Sequence, residues 1–382
     1  MYWQARFGIF EPMSEYEASH RENLQHTEGL PAASGEGEVL DAILVVDRRR
    51  RRRRRLPILL FLATCFTTYA AGCYRWNIWE TPILGSPMIT EVEKGETYTD
   101  AEGKTKVSRS RQTVLVSWRD GLKKNWRTGL MYMGGVMLIL LFHEMGHFIM
   151  TLRYKVPASF PFFIPVPMML MGTLGAVIGM DPRSANRKQV FDIGLAGPLA
   201  GLVLTIPLLV YGLSVAEPVP QIPEARGYGD PLLVKMLIPV LHDLEEVKTE
   251  YAKKHNDPSL LEREFTFMVN PIYMAAWVGM LVTGLNMLSI SQLDGGHVAY
   301  ALFGRYTIWL ARAFLLVAIV FIVWTDSYNW MLMLILVLFI GIEHPPTADD
   351  TVKLGPWRYA LGLASLAIPV FCFTPFILIM GG

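Results

Sequence analysis

The chain has few cysteines and almost no net charge. Three cysteines occur among its 382 residues, and the formal net charge at pH 7 is +1. Cys65, Cys73 and Cys372 lie in or beside apolar stretches and no two of them have CxxC spacing, which excludes a disulfide framework. The balanced charge gives no indication of a nucleic-acid partner, and we expect none. The first residues also lack the regions of a cleavable signal peptide, and we expect none here.

Long apolar runs, in contrast, are abundant. Hydrophobic residues make up 52% of the chain, and several charge-poor runs reach the roughly 20 residues that a helix needs to cross a bilayer. The sequence therefore predicts an all-α polytopic membrane protein, a multi-pass chain embedded in the lipid bilayer. We predict about seven transmembrane helices, at residues 56–74, 128–152, 193–216, 265–293, 304–325, 327–342 and 357–380.

Eight consecutive arginines, from Arg48 to Arg55, stand directly before the first apolar run. A basic cluster in this place is typical of the cytoplasmic end of a membrane span, where it attracts anionic lipid. A nucleic-acid or acidic-partner patch is the alternative, but the apolar neighbour explains the cluster without a second partner. We therefore expect a cytoplasmic N-terminus and a location in the cell (inner) membrane.

Polar segments divide the chain into regions. Residues 1–55 are predicted to form a cytoplasmic tail. A first membrane domain is predicted at 56–214, and it contains an extracytoplasmic loop at 75–127. A charged soluble insertion at 215–264 should also lie outside, before a second membrane domain at 265–382.

The predicted helix at 128–152 carries an unusual polar group. Its only formally charged residue is Glu144, which stands between His143 and His147. Histidines four apart share one face of a helix and can bind one zinc ion, with the carboxylate as general base. Because such groups are costly in hydrocarbon unless they are paired, hydrated or bound to metal, their position favours a zinc site. A polar trio packed between helices, or a chance match, is the alternative.

Asp294 is the candidate for a third zinc ligand. The predicted helix at 265–293 runs inward and ends beside Asp294, at the depth where His143 and His147 lie. A catalytic zinc commonly has three protein ligands and one open position. Alternatively, Asp294 only ends a helix before a flexible Gly295-Gly296 turn. His297 then fits packing or support of a ligand better than ligation, and His344 is most simply a loop histidine.

Residues 156–180 are apolar but cannot form a regular helix. Four prolines lie between Pro157 and Pro167, and proline removes a backbone donor and breaks helices. Irregular backbone at membrane depth must be satisfied by protein or by a wet cavity. We predict a re-entrant extended element, which either receives an unfolded peptide by strand addition or is only a packing loop.

These motifs together resemble the site-2 protease family of intramembrane zinc metalloproteases. The resemblance rests on His143-Glu144-Met145-Gly146-His147 and on the later stretch from Asn286 to Leu293-Asp294-Gly295. The stretches 172–176 and 191–198 are similar to the plastid and bacterial branch that includes the gravitropism-deficient, yellow-green type. The family implies a three-helix zinc core, Zn²⁺ as cofactor and regulated cleavage of a transmembrane protein substrate.

Carried over to this chain, the resemblance implies a role for each motif residue. His143, His147 and Asp294 would ligate zinc, and Glu144 would be the catalytic base. Asn286 would hold the substrate or the oxyanion. Relatives often have proline three residues after the asparagine, where this chain has Ser289, and that difference affects the local kink without removing a ligand.

Two other function classes remain open from the sequence. A non-proteolytic member would bind membrane partners or act as a zinc-binding chaperone, although the intact ligand set and Glu144 argue against that. A metal transporter would more often have repeated halves, and we find no internal repeat. The sequence does not indicate the oligomeric state.

Overall fold

The computed structural model of the chain is mostly helical. It describes residues 36–74, 88–99, 105–116, 122–167, 171–220, 226–290, 292–327, 330–374 and 378–380. Most of the predicted tail 1–55 and parts of the predicted loop 75–127 lie outside these residues. The arginine run is within the first helix rather than before it, because that helix already begins at Glu36.

Eleven α-helices occur within the described residues. In chain order they are α1 (Glu36–Cys73), α2 (Trp126–Tyr154), α3 (Arg187–Ser214), α4 (Leu232–Leu241), α5 (Leu244–His255), α6 (Pro271–Asn286), α7 (Asp294–Phe303), α8 (Thr307–Trp324), α9 (Met331–Ile340), α10 (Pro356–Ser365) and α11 (Ile368–Cys372).

The all-α prediction needs a correction, because four antiparallel sheets accompany the helices within the described residues. Each sheet has two strands, so each strand has a free edge among the described residues. The pairs are β1 (Met88–Thr99) with β2 (Thr105–Val116), β3 (Phe162–Pro165) with β4 (Thr173–Val177), β5 (Pro218–Pro220) with β7 (Phe265–Phe267), and β6 (Arg226–Tyr228) with β8 (Leu378–Met380).

Four helical stretches of the described residues are long and apolar enough to cross a membrane. They are Arg55–Cys73, Trp126–Tyr154, Arg187–Ser214 and Asp294–Trp324. The last combines α7 and α8 through a single 3₁₀ turn at Gly304–Tyr306. A membrane protein is therefore supported, whereas the prediction of seven spans is not confirmed.

Three of the predicted spans are shorter than expected. Helix α6 has 16 residues, because Asn270 caps its first turn and Pro271 begins it. Helix α9 has ten residues. The predicted helix at 357–380 is instead α10, α11 and β8; α11 has Pro369 in its first turn, and proline does not continue a preceding helix.

Helix α6 forms the centre of the bundle. Every residue from Tyr273 to Gly284 is buried, as expected for a helix that is apolar on all sides. Helices α2 and α3 pack against α6 and against each other, and α7 packs on α3. A Cβ atom at Gly146 of α2 would overlap the Ala196 carbonyl of α3, so glycine permits the close approach of these two helices.

Candidate metal centre

Three potential metal ligands converge where α2 meets the start of α7. His143 and His147 lie on the buried face of α2, and Asp294 is the first residue of α7. The Nε2 atom of His143 is 3.0 Å from Asp294 Oδ2, and that of His147 is 3.2 Å from Oδ1. One donor atom from each residue lies within 4.8 Å of the others. Two imidazoles and a carboxylate form a donor set that suits zinc.

The His147 ring is oriented by the main chain of α3. Its Nδ1 atom lies 2.8 Å from the Ile193 carbonyl oxygen. A carbonyl can only accept a hydrogen bond, so Nδ1 carries a proton, and in the neutral ring Nε2 then offers its lone pair. A backbone carbonyl commonly orients a ligating histidine in this way. The local structure therefore presents the nitrogen that a metal would need.

Glu144 adds an unusual feature to the same site. Its side chain is only 3% exposed, and its Oε2 atom is buried without a hydrogen-bond partner in the described part of the chain. Buried carboxylate oxygens normally have partners, because desolvation without compensation is costly. An unpaired acceptor beside His143, His147 and Asp294 fits a centre that holds a cation and a water molecule.

Asn286 also reaches this group. It is the last residue of α6, and its Nδ2 atom lies 3.4 Å from His143 Nε2. The chain turns sharply after it, and a Cβ atom at Gly295 would overlap the Met287 carbonyl. The fold thus brings together all five residues singled out in the sequence: His143, Glu144, His147, Asn286 and Asp294.

Helix α3 provides the glycine surface on which the imidazoles rest. A Cβ atom at Gly197 would overlap the His147 ring, and one at Gly201 would lie 3.2 Å from His143 Nδ1. The spacing of Gly194, Gly197 and Gly201 by itself indicates helix packing more than chemistry. The close contact of Gly197 and Gly201 with the two histidines is a second reason for glycine, which sequence spacing does not indicate.

Two further histidines lie beside this group. His297, one turn after Asp294 in α7, has Nδ1 2.7 Å from His344 Nε2. The His344 ring stacks on Tyr300, with ring centroids 4.3 Å apart. Burial lowers the pKa of His344 to about 4. His344 lies in a loop, as expected, and is also part of a packed polar contact with His297. Sequence spacing could not indicate this contact, because the two residues are 47 positions apart.

The predicted extended element is a β-hairpin held against α1. Strands β3 and β4 are antiparallel with an irregular register between Phe163 and Pro165. The Thr67 hydroxyl of α1 donates to the Gly172 carbonyl over 2.6 Å, and the Tyr132 hydroxyl of α2 donates to the Met171 carbonyl over 3.2 Å. Two of the described helices therefore fix the hairpin, and Val177 remains 52% exposed on β4.

Comparison with known proteins agrees with this geometry. A profile described as Peptidase family M50 matches residues 131–324, slightly more than half of the chain. "Probable zinc metalloprotease EGY1, chloroplastic" of Arabidopsis thaliana is 28% identical over 249 residues, or 63% of this chain and 42% of the relative. "Probable zinc metalloprotease EGY2, chloroplastic" of the same plant is 31% identical over 170 residues, or 44% and 28%.

The match to these curated relatives is partial. "Probable zinc metalloprotease EGY3, chloroplastic" of Oryza sativa subsp. japonica is 28% identical over 251 residues, covering 63% of this chain and 41% of the relative. The chain thus spans less than half the length of each of these three relatives. No solved structure matches the chain. The matched profile contains both motifs on which the resemblance rested, and the chain belongs to Peptidase family M50.

Proposed function

We propose that this chain is an intramembrane zinc metalloprotease, which hydrolyses peptide bonds within or near the transmembrane segments of membrane proteins. The observation that carries the proposal is the unpaired, buried Glu144 carboxylate beside His143, His147 and Asp294 in apolar helices. Ionisable groups at membrane depth are expensive, and this combination fits the hydrolysis of an amide bond. The names of the three relatives, all zinc metalloproteases, support the same activity.

In this proposal zinc is the resident cofactor. His143 Nε2, His147 Nε2 and one Asp294 oxygen would hold it, because these atoms converge. A zinc ion held there would supply a Lewis acid for the scissile carbonyl and for the attacking water.

Glu144 moves the proton during hydrolysis. Its unpaired Oε2 accepts the proton of the attacking water and then delivers it to the leaving amine nitrogen. The Asn286 amide, 3.4 Å from His143 Nε2, donates to the substrate carbonyl and stabilises the oxyanion. The apolar surroundings of α2 and α6 exclude bulk water, which strengthens both interactions.

The proposed site is intramembrane, so the helices that carry it should span the bilayer. We propose about seven spans, with α2, α3 and the α6–α7 pair as the three-helix zinc core. The four stretches of spanning length count towards this total. The charge-free α6, the apolar α9 and the apolar segment at 357–380 supply the other three. The division into a tail at 1–55, membrane domains at 56–214 and 265–382 and an insertion at 215–264 follows from this topology.

The hairpin β3–β4 is proposed as the re-entrant element that receives the substrate. Its strands have unpaired edges within the described residues, and an extended peptide can add to such an edge through main-chain hydrogen bonds. A transmembrane helix must unwind before cleavage, so binding as a strand exposes the peptide bond. The exposed Phe160 and Val177 side chains provide apolar contacts for it.

We also propose an orientation with the N-terminus in the cytoplasm of a cell (inner) membrane. The run from Arg48 to Arg55 supports it, because basic clusters favour the cytoplasmic side and anionic lipid headgroups. The zinc centre then lies near the cytoplasmic end of α2, and water reaches it from that side.

The test is cleavage of membrane-spanning reporter peptides by the purified full-length protein, with zinc quantified in each sample. We expect wild type to cleave with about one zinc per chain, and Glu144→Ala to retain zinc but lose about 10²–10⁴-fold in rate. The control Glu343→Ala removes an exposed loop carboxylate and should cleave normally. Zinc binding without cleavage by wild type would favour a partner-binding or chaperone role, and metal flux in vesicles would favour a transporter.

A further inference from the structure

The first turns of α3 carry a charged cluster outside the metal centre. Arg358 of α10 makes a two-point contact with Asp192 of α3: its Nε lies 2.7 Å from Oδ1, and its Nη2 lies 2.9 Å from Oδ2. The Tyr154 hydroxyl, at the end of α2, also donates to Asp192 Oδ2. Two-point contacts between arginine and a carboxylate are strong and geometrically specific.

This cluster adjoins the main-chain group that orients a proposed ligand. Asp192 directly precedes Ile193, whose carbonyl oxygen accepts the hydrogen bond of His147 Nδ1. Asp192 is 13% exposed and Arg358 29% exposed, so the pair is shielded more than an ordinary surface ion pair. A shift of the Asp192 backbone would also move the Ile193 carbonyl and the imidazole that it orients.

Helix α10 also packs against this turn of α3 through apolar contacts. A Cβ atom at Gly362 of α10 would lie 2.8 Å from the Phe191 ring and 3.0 Å from Leu302 of α7. Phe191, Leu195 and Leu302 belong to one buried cluster, against which Leu361 packs. Helix α10 therefore contacts both Phe191 and Asp192, the two residues immediately before Ile193.

We infer that Arg358 and Asp192 are positioning residues for the metal centre, which act through the Ile193 carbonyl on the His147 ring. The inference rests on the proposed function, because it takes His147 as a zinc ligand. It assigns a role to α10, which lies beyond the residues 131–324 that the family profile matches. A helix of the C-terminal segment then supports the zinc site from beyond the residues that the profile matches.

The experiment compares zinc affinity, measured by chelator competition, in four forms of the full-length detergent-purified protein: wild type, Arg358→Gln, Arg358→Lys and the charge exchange Asp192→Arg with Arg358→Glu. Loss of groups that orient a ligating histidine typically weakens metal binding by about 10–100-fold, so we expect about tenfold for Arg358→Gln. Arg358→Lys keeps the charge but loses the two-point contact, and a smaller loss is expected. The exchanged pair should recover most of the affinity.

A second readout separates positioning from a general loss of stability. The visible absorption of the Co²⁺-substituted protein reports the ligand geometry, and we expect its bands to shift in Arg358→Gln. The melting temperature of the zinc-free protein identifies any variant with a broad folding defect. Lys353→Gln removes an exposed cation just before α10 and should leave zinc affinity and the Co²⁺ spectrum unchanged.

The possible results distinguish the two proposals. If wild type binds zinc tightly and Arg358→Gln binds it equally well with an unchanged Co²⁺ spectrum, the positioning role is overturned while the proposed function stands. If Arg358→Gln loses affinity only in proportion to a lower melting temperature, the pair is merely structural, and the inference is again overturned. If wild type holds no zinc, both proposals fail.

Discussion

Gly197 of α3 lies directly against the imidazole of His147, and a Cβ atom at this position would overlap the ring at Nε2. The same nitrogen faces Asp294 Oδ1 at 3.2 Å. The lack of a side chain at Gly197 therefore leaves the space that the ring of His147, a proposed zinc ligand, occupies. The contact connects the packing of α2 on α3 to the geometry of the centre.

Gly197→Ala should remove zinc binding while the fold persists. The added methyl group must displace the His147 ring or separate α2 from α3, which pack closely. Disturbing the groups that orient a metal ligand typically weakens metal binding by about 10–100-fold, and we expect a loss of zinc affinity at least that large. Chelator competition measures the affinity. Gly134→Ala is the matched control, because Gly134 lies on α2 with nothing within 4 Å of a new Cβ atom. Equal affinities in the two variants would contradict the argument.

Asp294→Asn tests the third ligand separately. The amide keeps the shape of the side chain but offers a neutral oxygen, which is a weaker zinc ligand than a carboxylate. We expect zinc affinity to fall by more than about 100-fold, beyond the usual effect of a residue that only supports a ligand. The helix start at Asp294 should remain, since asparagine is tolerated at helix N-termini.

The control for Asp294 is Asp349→Asn, in the exposed loop before α10. It makes the same chemical change away from the two histidines, and its zinc affinity should equal that of wild type. Full zinc content in Asp294→Asn after dialysis against a chelator would show that the carboxylate is not a ligand.

Short-range chemistry explains how much of this site the sequence could predict. His143 and His147 share a helix face because four residues complete about one turn. Asp294 was predicted to lie beside them because the inward helix that precedes it ends at the same membrane depth. The fold brings Asn286 to within 3.4 Å of His143, while its role towards the substrate stays a prediction from the family resemblance. The histidine pair and Asp294 needed only spacing, apolar context and motif chemistry.

The remaining features depend on contacts between residues far apart in the chain. The pairing of Asp192 with Arg358 spans 166 positions, and no periodicity in either segment indicates the other. The same is true of His297 and His344. The length of α6 was overestimated, because hydropathy indicates burial inside a helix bundle as readily as a membrane span, and α6 is buried inside the bundle.

Thr67→Val is expected to loosen the hairpin rather than the metal centre. The Thr67 hydroxyl donates to the Gly172 carbonyl over 2.6 Å, and that carbonyl keeps its bond from the Val166 amide. Losing one of the two bonds should cost about 1 kcal/mol. If the hairpin receives the substrate, KM for a reporter peptide should rise while zinc affinity is unchanged.

Thr64→Val provides a close comparison for Thr67. Thr64 lies one turn earlier in α1, is fully buried, and donates to the Leu60 carbonyl of its own helix. The same isosteric change there leaves the hairpin bond intact, so KM should stay at the wild-type value. A similar rise of KM in both variants would attribute the effect to α1 instead of the hairpin.

Asp230 and Asp257 should respond to pH in opposite directions. Burial raises the pKa of Asp230, which accepts a hydrogen bond from the Tyr273 hydroxyl at 2.8 Å. Its contribution to stability is therefore full below the unfolded pKa and is lost as pH rises through the folded value. The Ser259 hydroxyl and amide lower the pKa of Asp257, so its contribution is present above the unfolded pKa and is lost on acidification.

Thermal unfolding between about pH 2.5 and pH 7 checks both signs, because this range includes the ordinary aspartate pKa near 3.9. Asp230→Asn keeps an oxygen that accepts from Tyr273 and removes the buried charge, so the variant should melt above wild type at pH 7 and approach it on acidification. Asp257→Asn should melt below wild type at pH 7, with the difference shrinking only below about pH 4, where the carboxylate becomes protonated. If both variants melted above wild type at pH 7, or both melted below it, the opposite environments of the two carboxylates would be contradicted.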